Sequence, residues 1–372
     1  MSGSHNAHSN LGPSSAHRWL ACPGSVAAIA ALPSADETSP WAAEGTKAHD
    51  LAEIMLTNRA YAFSDYEQEM LDYVQVYVDY VSQLGKEADA VIIEERVDFS
   101  EWVDGGYGTA DAIIVQKKTL HVVDLKYGMG VRVDADENPQ GMLYALGAYA
   151  LTEMTHDIEQ VVIHIVQPRL DHITAWSISI ADLLNWAEWV RERAEIALSD
   201  DAPRVPGEKQ CKFCDVKGSC KALMKHVEKI TMMDFDDLDD APNPDTMTDD
   251  DLRLALESKG LIEGWLTAVS EVVQSRLDDG QEFEGFKLVE GRSFRQWENE
   301  QDAEKVLKKL FKADAYTKKL LSPAQAEKKL GKAKKHEVED LIVKPRGKPT
   351  LAPEADKRPA INATAEDFDD LD

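Results

Sequence analysis

Cysteine is scarce in this chain, at four residues in 372. A secreted fold stapled by several disulfides is therefore not expected, and thiols kept for a metal are the better reading. Long apolar runs are missing too. None approaches the roughly 18 residues that a membrane span requires, and the opening Met-Ser-Gly-Ser-His-Asn has no signal-peptide pattern. The expectation is a soluble, cytoplasmic protein with no membrane role. Positive charge is also short. Against 68 Asp and Glu stand 41 Lys and Arg, for a net charge of −27. That balance argues against a passive coat for nucleic acid, whose affinity comes from cations neutralising phosphates. Hydrophobic residues are not short: at 43% of the chain they suffice for a sizeable core, and the length leaves room for a second domain.

The cysteines are ordered. Cys22 stands alone near the start, and Cys211, Cys214 and Cys220 follow as C-x2-C-x5-C. Four with no remainder make a complete tetrathiolate set for one zinc or one iron–sulfur cluster. The long interval between Cys22 and Cys211 must then fold so that its two ends meet.

Inside that interval lies a second constellation. Segments 110–115 and 120–126 are rich in β-branched residues and are separated by Gln116-Lys117-Lys118-Thr119, which reads as a hairpin. If Lys117-Lys118 is a two-residue turn, cross-strand partners have numbers adding to 235, as 111 and 124 do, so Asp111 and Asp124 face each other. Lys126 projects from the same face as Asp124, because side chains alternate along a strand. Opposed carboxylates repel in an ordinary sheet, and a bound divalent cation removes that cost. Mg²⁺ or Mn²⁺, which prefer oxygen ligands, fit such a site, and Lys126 beside it can orient water or offset charge on a phosphate. Singly, Asp111 reads as a turn former and Asp124 with Lys126 as a solvated edge pair. Val122, Val123 and Leu125 around Asp124 favour a buried strand, and so the site. A helix from Pro40 carries His49, with Glu53 one turn on as a solvated acid. A helix from Pro139 carries Gln140 and Tyr144 on one face.

Taken together, His49, Gly108-x2-Asp111, Asp124-x-Lys126 and Gln140-x3-Tyr144 resemble the PD-(D/E)XK nucleases of the RecB and AddB type, including the iron–sulfur CRISPR adaptation nucleases. The resemblance spans roughly residues 14–225. It implies a restriction-endonuclease-like α/β core with a mixed central sheet flanked by helices. It also implies His49, Asp111 and Asp124 as metal ligands, Lys126 as the catalytic lysine, and Gln140 and Tyr144 as active-site helix residues. Ala110 stands where the pattern's proline would be. One cysteine before the core and three after it match the family's ligation of a [4Fe-4S] cluster, so the resemblance favours that cluster over zinc for Cys22, Cys211, Cys214 and Cys220. The stretch from Arg18 to Ser25 and the Asp124-Leu-Lys-Tyr-Gly run further resemble an uncharacterised family of tailed phages and prophages. The implied activity is Mg²⁺- or Mn²⁺-dependent DNA hydrolysis, exonucleolytic, in phage replication or recombination in the host cytoplasm. The partners implied are DNA and a phage single-strand annealing or replication protein. A noncatalytic iron–sulfur or zinc-stabilised DNA-binding scaffold is the alternative.

Composition divides the chain into a disordered start (1–13), the core (14–230), an acidic linker (231–248), a mostly helical accessory region (249–343) and a disordered tail (344–372). Segment 234–251 has nine acids and no base, whereas 304–348 has 14 bases against 6 acids. A short β unit is expected at 286–297, where Arg292, Arg295 and Trp297 mix cations with an aromatic, and helices at 301–312 and 323–331. The acidic hexapeptide Asp-Phe-Asp-Asp-Leu-Asp occurs twice, at 234–239 and 367–372, which suits a docking segment.

Overall fold

The computed structural model describes residues 10–32, 40–60, 62–231 and 248–286. The chain divides into two compact units, 1–284 and 285–372, and all elements below belong to the first. In chain order they are α1 (Ala16–Trp19), α2 (Ser25–Ala30), α3 (Pro40–Leu56), α4 (Gln68–Leu84), β1 (Ala90–Asp98), β2 (Tyr107–Gln116), β3 (Thr119–Leu125), α5 (Pro139–Thr152), β4 (Gln160–Gln167), β5 (His172–Ser179), α6 (Ile180–Leu198), α7 (Glu208–Cys211), α8 (Lys221–Thr231) and α9 (Asp249–Asp278). Among the described residues no helix is long and apolar enough to cross a membrane.

The strands form one mixed sheet in the order β1-β2-β3-β4-β5. β3 and β4 run parallel, joined through α5, and the other neighbours are antiparallel. The β2–β3 hairpin has the expected register: Ala112 pairs Val123, and Gln116 pairs Thr119 across the Lys117-Lys118 turn. Lys117 takes the positive φ of 56° that such a tight turn demands. Helices cover both faces. Ile113, Val115, Leu120 and Val122 pack toward α5, α6 and the N-terminal segment, while Ala112, Ile114, Val123 and Leu125 pack toward α3 and α4. α4 earns its place through Met70, Leu71, Val74, Tyr77, Val78 and Val81, which fall on one helical face and are all buried.

α5 lies very close to the sheet. Asn138 caps it by accepting from the Gly141 N–H at 3.1 Å, and Pro139 occupies its first turn. A Cβ on Gly141 would sit 2.4 Å from Ile163 Cγ2, so only glycine permits this approach. The packed chain also begins earlier than composition suggests. Leu11 is buried, and Trp19, fully buried, donates its indole N–H to Gly12 O at 3.2 Å. The sequence reading had no strand at 172–179, where β5 forms the edge. Its inner residues Trp176 and Ile178 reach the core, but Ile173 on the other face is exposed, which blurs the alternation. The expected β unit at 286–297 lies outside the described residues apart from Phe286. So do the helices at 301–312 and 323–331, the basic stretch at 304–348 and both copies of the acidic hexapeptide.

A partly buried polar chain links α4 to the sheet. Tyr80 OH shares a hydrogen bond with His164 Nδ1 (2.9 Å), and His164 Nε2 shares one with His121 Nδ1 (3.0 Å). Burial, with the neighbouring His121 adding to it, lowers the His164 pKa from 6.5 to about 4. Between those values the unfolded chain takes up a proton that the folded chain refuses. The stability is therefore present above pH 6.5 and lost as the pH falls toward 4. Urea unfolding at pH 7 and pH 4.5 should show a smaller acid loss for His164→Gln than for wild type, by up to about 3 kcal/mol. An identical loss in both proteins would remove His164 from the account.

Candidate active site and cysteine cavity

Three acids occupy successive strands at one level of the sheet. β1 and β2 pair so that partners' numbers add to 205, and β2 and β3 so that they add to 235. Extending those registers by one step puts Glu94 opposite Asp111 and Asp111 opposite Asp124. Glu94 itself drops out of the pairing with φ at +49°, a left-handed conformation that costs a non-glycine residue energy and that gathers at functional sites. Asp111 and Asp124 are both buried.

Asp111 is fixed from two sides: its Oδ2 accepts the Leu125 N–H at 2.7 Å, and its Oδ1 lies 3.2 Å from His49 Nδ1, delivered by α3. His49, Glu94 and Asp111 each offer one ligand atom, and these lie within 4.8 Å of one another. Lys126, just past β3, sets its ammonium 2.9 Å from Asp124 Oδ2 and 2.8 Å from Gln140 Oε1. Gln140 Nε2 in turn donates to Tyr144 OH at 3.3 Å, so the amide's orientation follows from its two partners. Gly108 is explained by the same neighbourhood, since a Cβ there would fall 2.9 Å from Tyr144 Cε1 and 2.8 Å from Pro13 Cγ. α3 is clamped near His49 by Arg169, which reaches both Glu44 carboxylate oxygens at 3.1 Å and lies over the Tyr127 ring.

Charge is crowded here. Burial and the Asp111 carboxylate push Glu94 up to about 8. For His49 burial opposes the charge, but the Asp111 carboxylate, with Asp124 and Glu94 adding to it, raises the pKa to about 9. Burial raises Asp124 against the pull of Lys126, with Asp111 adding to the rise. Asp124 Oδ2 is buried and accepts no well-directed hydrogen bond despite its nearness to the ammonium. The crowding of Glu94 and Asp111 is relieved by a cation, and the donors present, carboxylate oxygens and one imidazole, suit Mg²⁺ or Mn²⁺.

The sequence-derived residues His49, Asp111, Asp124, Lys126, Gln140 and Tyr144 thus come together. Glu94 was missed, although the counting that paired Asp111 with Asp124 would have found it once the β1 register was known. The metal-ligand trio also differs in emphasis from His49, Asp111 and Asp124, because Asp124 is turned to Lys126 and Glu94 stands with the other two.

The cysteines form a separate locus. Cys22, Cys211, Cys214 and Cys220, all free thiols, line one small cavity. Backbone N–H groups point at the sulfurs: Val205 at Cys22 Sγ (3.2 Å) and Gly207 at Cys211 Sγ (3.4 Å). Gly24 N–H donates to Pro203 O at 2.9 Å, and a Cβ on Gly24 would lie 2.4 Å from Ala202 O. Burial raises the Cys211 and Cys214 thiols. Converging thiols that receive N–H bonds fit a metal or cluster ligated by thiolates. Gly218 in the cysteine loop packs directly under α9, where an added Cβ would sit 2.5 Å from Ala268 O.

Fold and site together define a mixed α/β protein with a carboxylate, imidazole and lysine centre and a tetracysteine cavity. By sequence, residues 8–359 match the family described as "Protein of unknown function (DUF2800)", and the chain belongs to that family. A solved protein titled "Crystal structure of SSO0001" matches at 17% identity, covering 59% of this chain and 90% of that one, with a TM-score of 0.28, too low for the likeness to carry an argument.

If Glu94 and His49 hold a cation, Glu94→Gln and His49→Ala should each weaken Mn²⁺ binding by about tenfold or more in calorimetry, with circular dichroism unchanged. Unaltered affinity in both variants would displace the site.

Proposed function

We propose that this protein is a Mg²⁺- or Mn²⁺-dependent DNA nuclease with a PD-(D/E)XK, restriction-endonuclease-like core. In this reading it acts exonucleolytically in phage replication or recombination. One observation carries it: residues from five elements and a loop, His49 on α3, Glu94, Asp111 and Asp124 on three strands, Gln140 on α5 and Lys126 after β3, converge on one point. The five-stranded mixed sheet flanked by helices supports the same reading.

In this reading His49, Glu94 and Asp111 would hold the cation, and Asp124, paired with Lys126 at 2.9 Å, stands beside them. A bound divalent cation supplies an acidified water and charge neutralisation at the phosphodiester. Lys126 holds a positive charge where the pentavalent phosphate gains negative charge and gives the attacking water a hydrogen-bond partner. Gln140 keeps that ammonium aimed, because its Oε1 accepts from Lys126 while its Nε2 is tied to Tyr144. Burial raises the Tyr144 pKa, so the phenol stays protonated. DNA is held by this centre rather than by a basic coat, which the net charge of −27 does not offer.

For the cysteine cavity the proposal is a [4Fe-4S] cluster with a stapling role. The four free thiols line one cavity, and backbone N–H groups point at Cys22 and Cys211, as thiolate ligation requires. A single-strand annealing or replication protein is the partner that this role would call for.

Asp124→Ala and Lys126→Ala should each lower Mn²⁺-dependent cleavage of end-labelled linear DNA at least about a hundredfold while leaving the fold intact. Circular DNA should resist the wild type. Cleavage by purified Asp124→Ala at the wild-type rate would sink the assignment. Protein purified without oxygen should be brown with about four irons per chain, and Cys22→Ala should lower its melting temperature. Colourless protein with one zinc per chain would decide for zinc.

A further inference from the structure

The cysteine loop and α9 enclose a groove that the carboxylate centre does not use. Gly218 brings its two walls together, since a Cβ there would sit 2.5 Å from Ala268 O. Toward the end of α9 lies a cavity of about 670 Å³, walled by Lys212, Phe213 and Lys217 and, from α9, by Ala268, Val272 and Arg276. Toward the middle of α9 lies a second of about 240 Å³, walled by Leu223 and, from α9, by Leu261, Gly264 and Trp265. Lys212 and Lys217 line both, so two cavities with apolar walls share a pair of lysines.

Those lysines are held but not neutralised. Lys217 Nζ donates to Lys212 O at 3.2 Å, and Lys212 Nζ lies 5.5 Å from the centre of the Phe213 ring, a residue that is 58% exposed. Among the described residues Lys212, Lys217 and Arg276 make no ion pair. In a chain with 68 acids and 41 bases, three cations left without a carboxylate along one groove offer themselves to an anion from outside. Asp215 and Glu271 also line the larger cavity, and they oppose a phosphate backbone, which carries charge at every step. A peptide that mixes acids with apolar groups meets the groove better.

The sequence holds such a peptide twice. In Asp-Phe-Asp-Asp-Leu-Asp, at 234–239 and 367–372, two apolar side chains stand three residues apart with two acids between them. Three residues of extended peptide cover about 10 Å, and Trp265 and Val272, one from each cavity, are about as far apart along α9. The copy at 234–239 is badly placed for its own groove. About ten residues separate Asp239 from the start of α9 at Asp249, which lies about 35 Å along the helix from Val272, the full stretch of those residues.

We propose that this groove docks the hexapeptide at 367–372 of a second copy of the chain. Phe368 enters the larger cavity and Leu371 the smaller, the acids between them meet Lys212 and Lys217, and Arg276 takes an outer acid. The apolar pair anchors the peptide, and the charges set its register. The proposal goes beyond the nuclease reading and does not depend on it, since no residue of the carboxylate centre takes part.

Sedimentation of the full chain should show association that rises with concentration at low salt and weakens at about 0.5 M salt. Phe368→Ala with Leu371→Ala, and separately Arg276→Glu, should each weaken it by about tenfold or more, with circular dichroism unchanged. Synthetic Asp-Phe-Asp-Asp-Leu-Asp in excess should return wild type to monomer, and the same peptide with alanine at both apolar positions should not. A monomer at every concentration, or association that neither variant changes, overturns the proposal. So does a labelled oligothymidylate whose binding is lost in Arg276→Glu but is not displaced by the peptide, a result that would make the groove a nucleic-acid surface.

Discussion

Carboxylates that face one another across neighbouring strands repel, and much of the architecture can be read as the means of holding three of them together. Asp111 is secured by the Leu125 N–H, Glu94 leaves the β1 ladder with a left-handed φ, and Asp124 turns to the Lys126 ammonium. Their company is cationic: His49 comes from one layer of helices and Lys126 from the end of β3. α3 must be clamped by Arg169, and α5 must press on the sheet at Gly141, for those groups to arrive together. The sheet's placement of the acids and the helices' placement of the bases are parts of one electrostatic problem.

That problem was partly legible in the residues alone. The hairpin could be counted because Lys117-Lys118 lies between two apolar runs, so a single assumption about the turn fixed the Asp111–Asp124 register. α5 could be placed because Pro139 marks its start, and with it Gln140 and Tyr144. Glu94 was hidden for a physical reason: β1 is separated from β2 by a loop whose length fixes no register, so nothing local says which acid of Glu94 and Glu95 meets Asp111. β5 was hidden because an edge strand needs only one buried face, and Ile173 on its outer side confuses the alternation. The meeting of Cys22 with the later cysteines followed from ligand arithmetic, but the backbone fit at Gly24 and Ala202 leaves no trace a reader of sequence could use.

The two loci differ in how they hold their groups. The carboxylate centre sits on strands, where spacing is set by backbone hydrogen bonds that crowd its acids. The cysteine cavity is made by short helices and loops whose sulfurs receive backbone N–H bonds. α9 lies against that loop at Gly218, so a change in the cysteine locus is felt by a helix well beyond it in the chain.

The contact of the N-terminal segment with residues 193–205 has a consequence for biosynthesis. Arg193 donates to Leu20 O, Pro203 O accepts from Gly24, and Val205 donates to Cys22 Sγ, so the partners of residues 20–24 are made some 170 to 180 positions later. At roughly 5–20 residues per second, this segment leaves the ribosome about ten to forty seconds before its docking surface exists. During that time Leu20 and Cys22 lack these late partners, and the chain's first packed residues are among the last to settle.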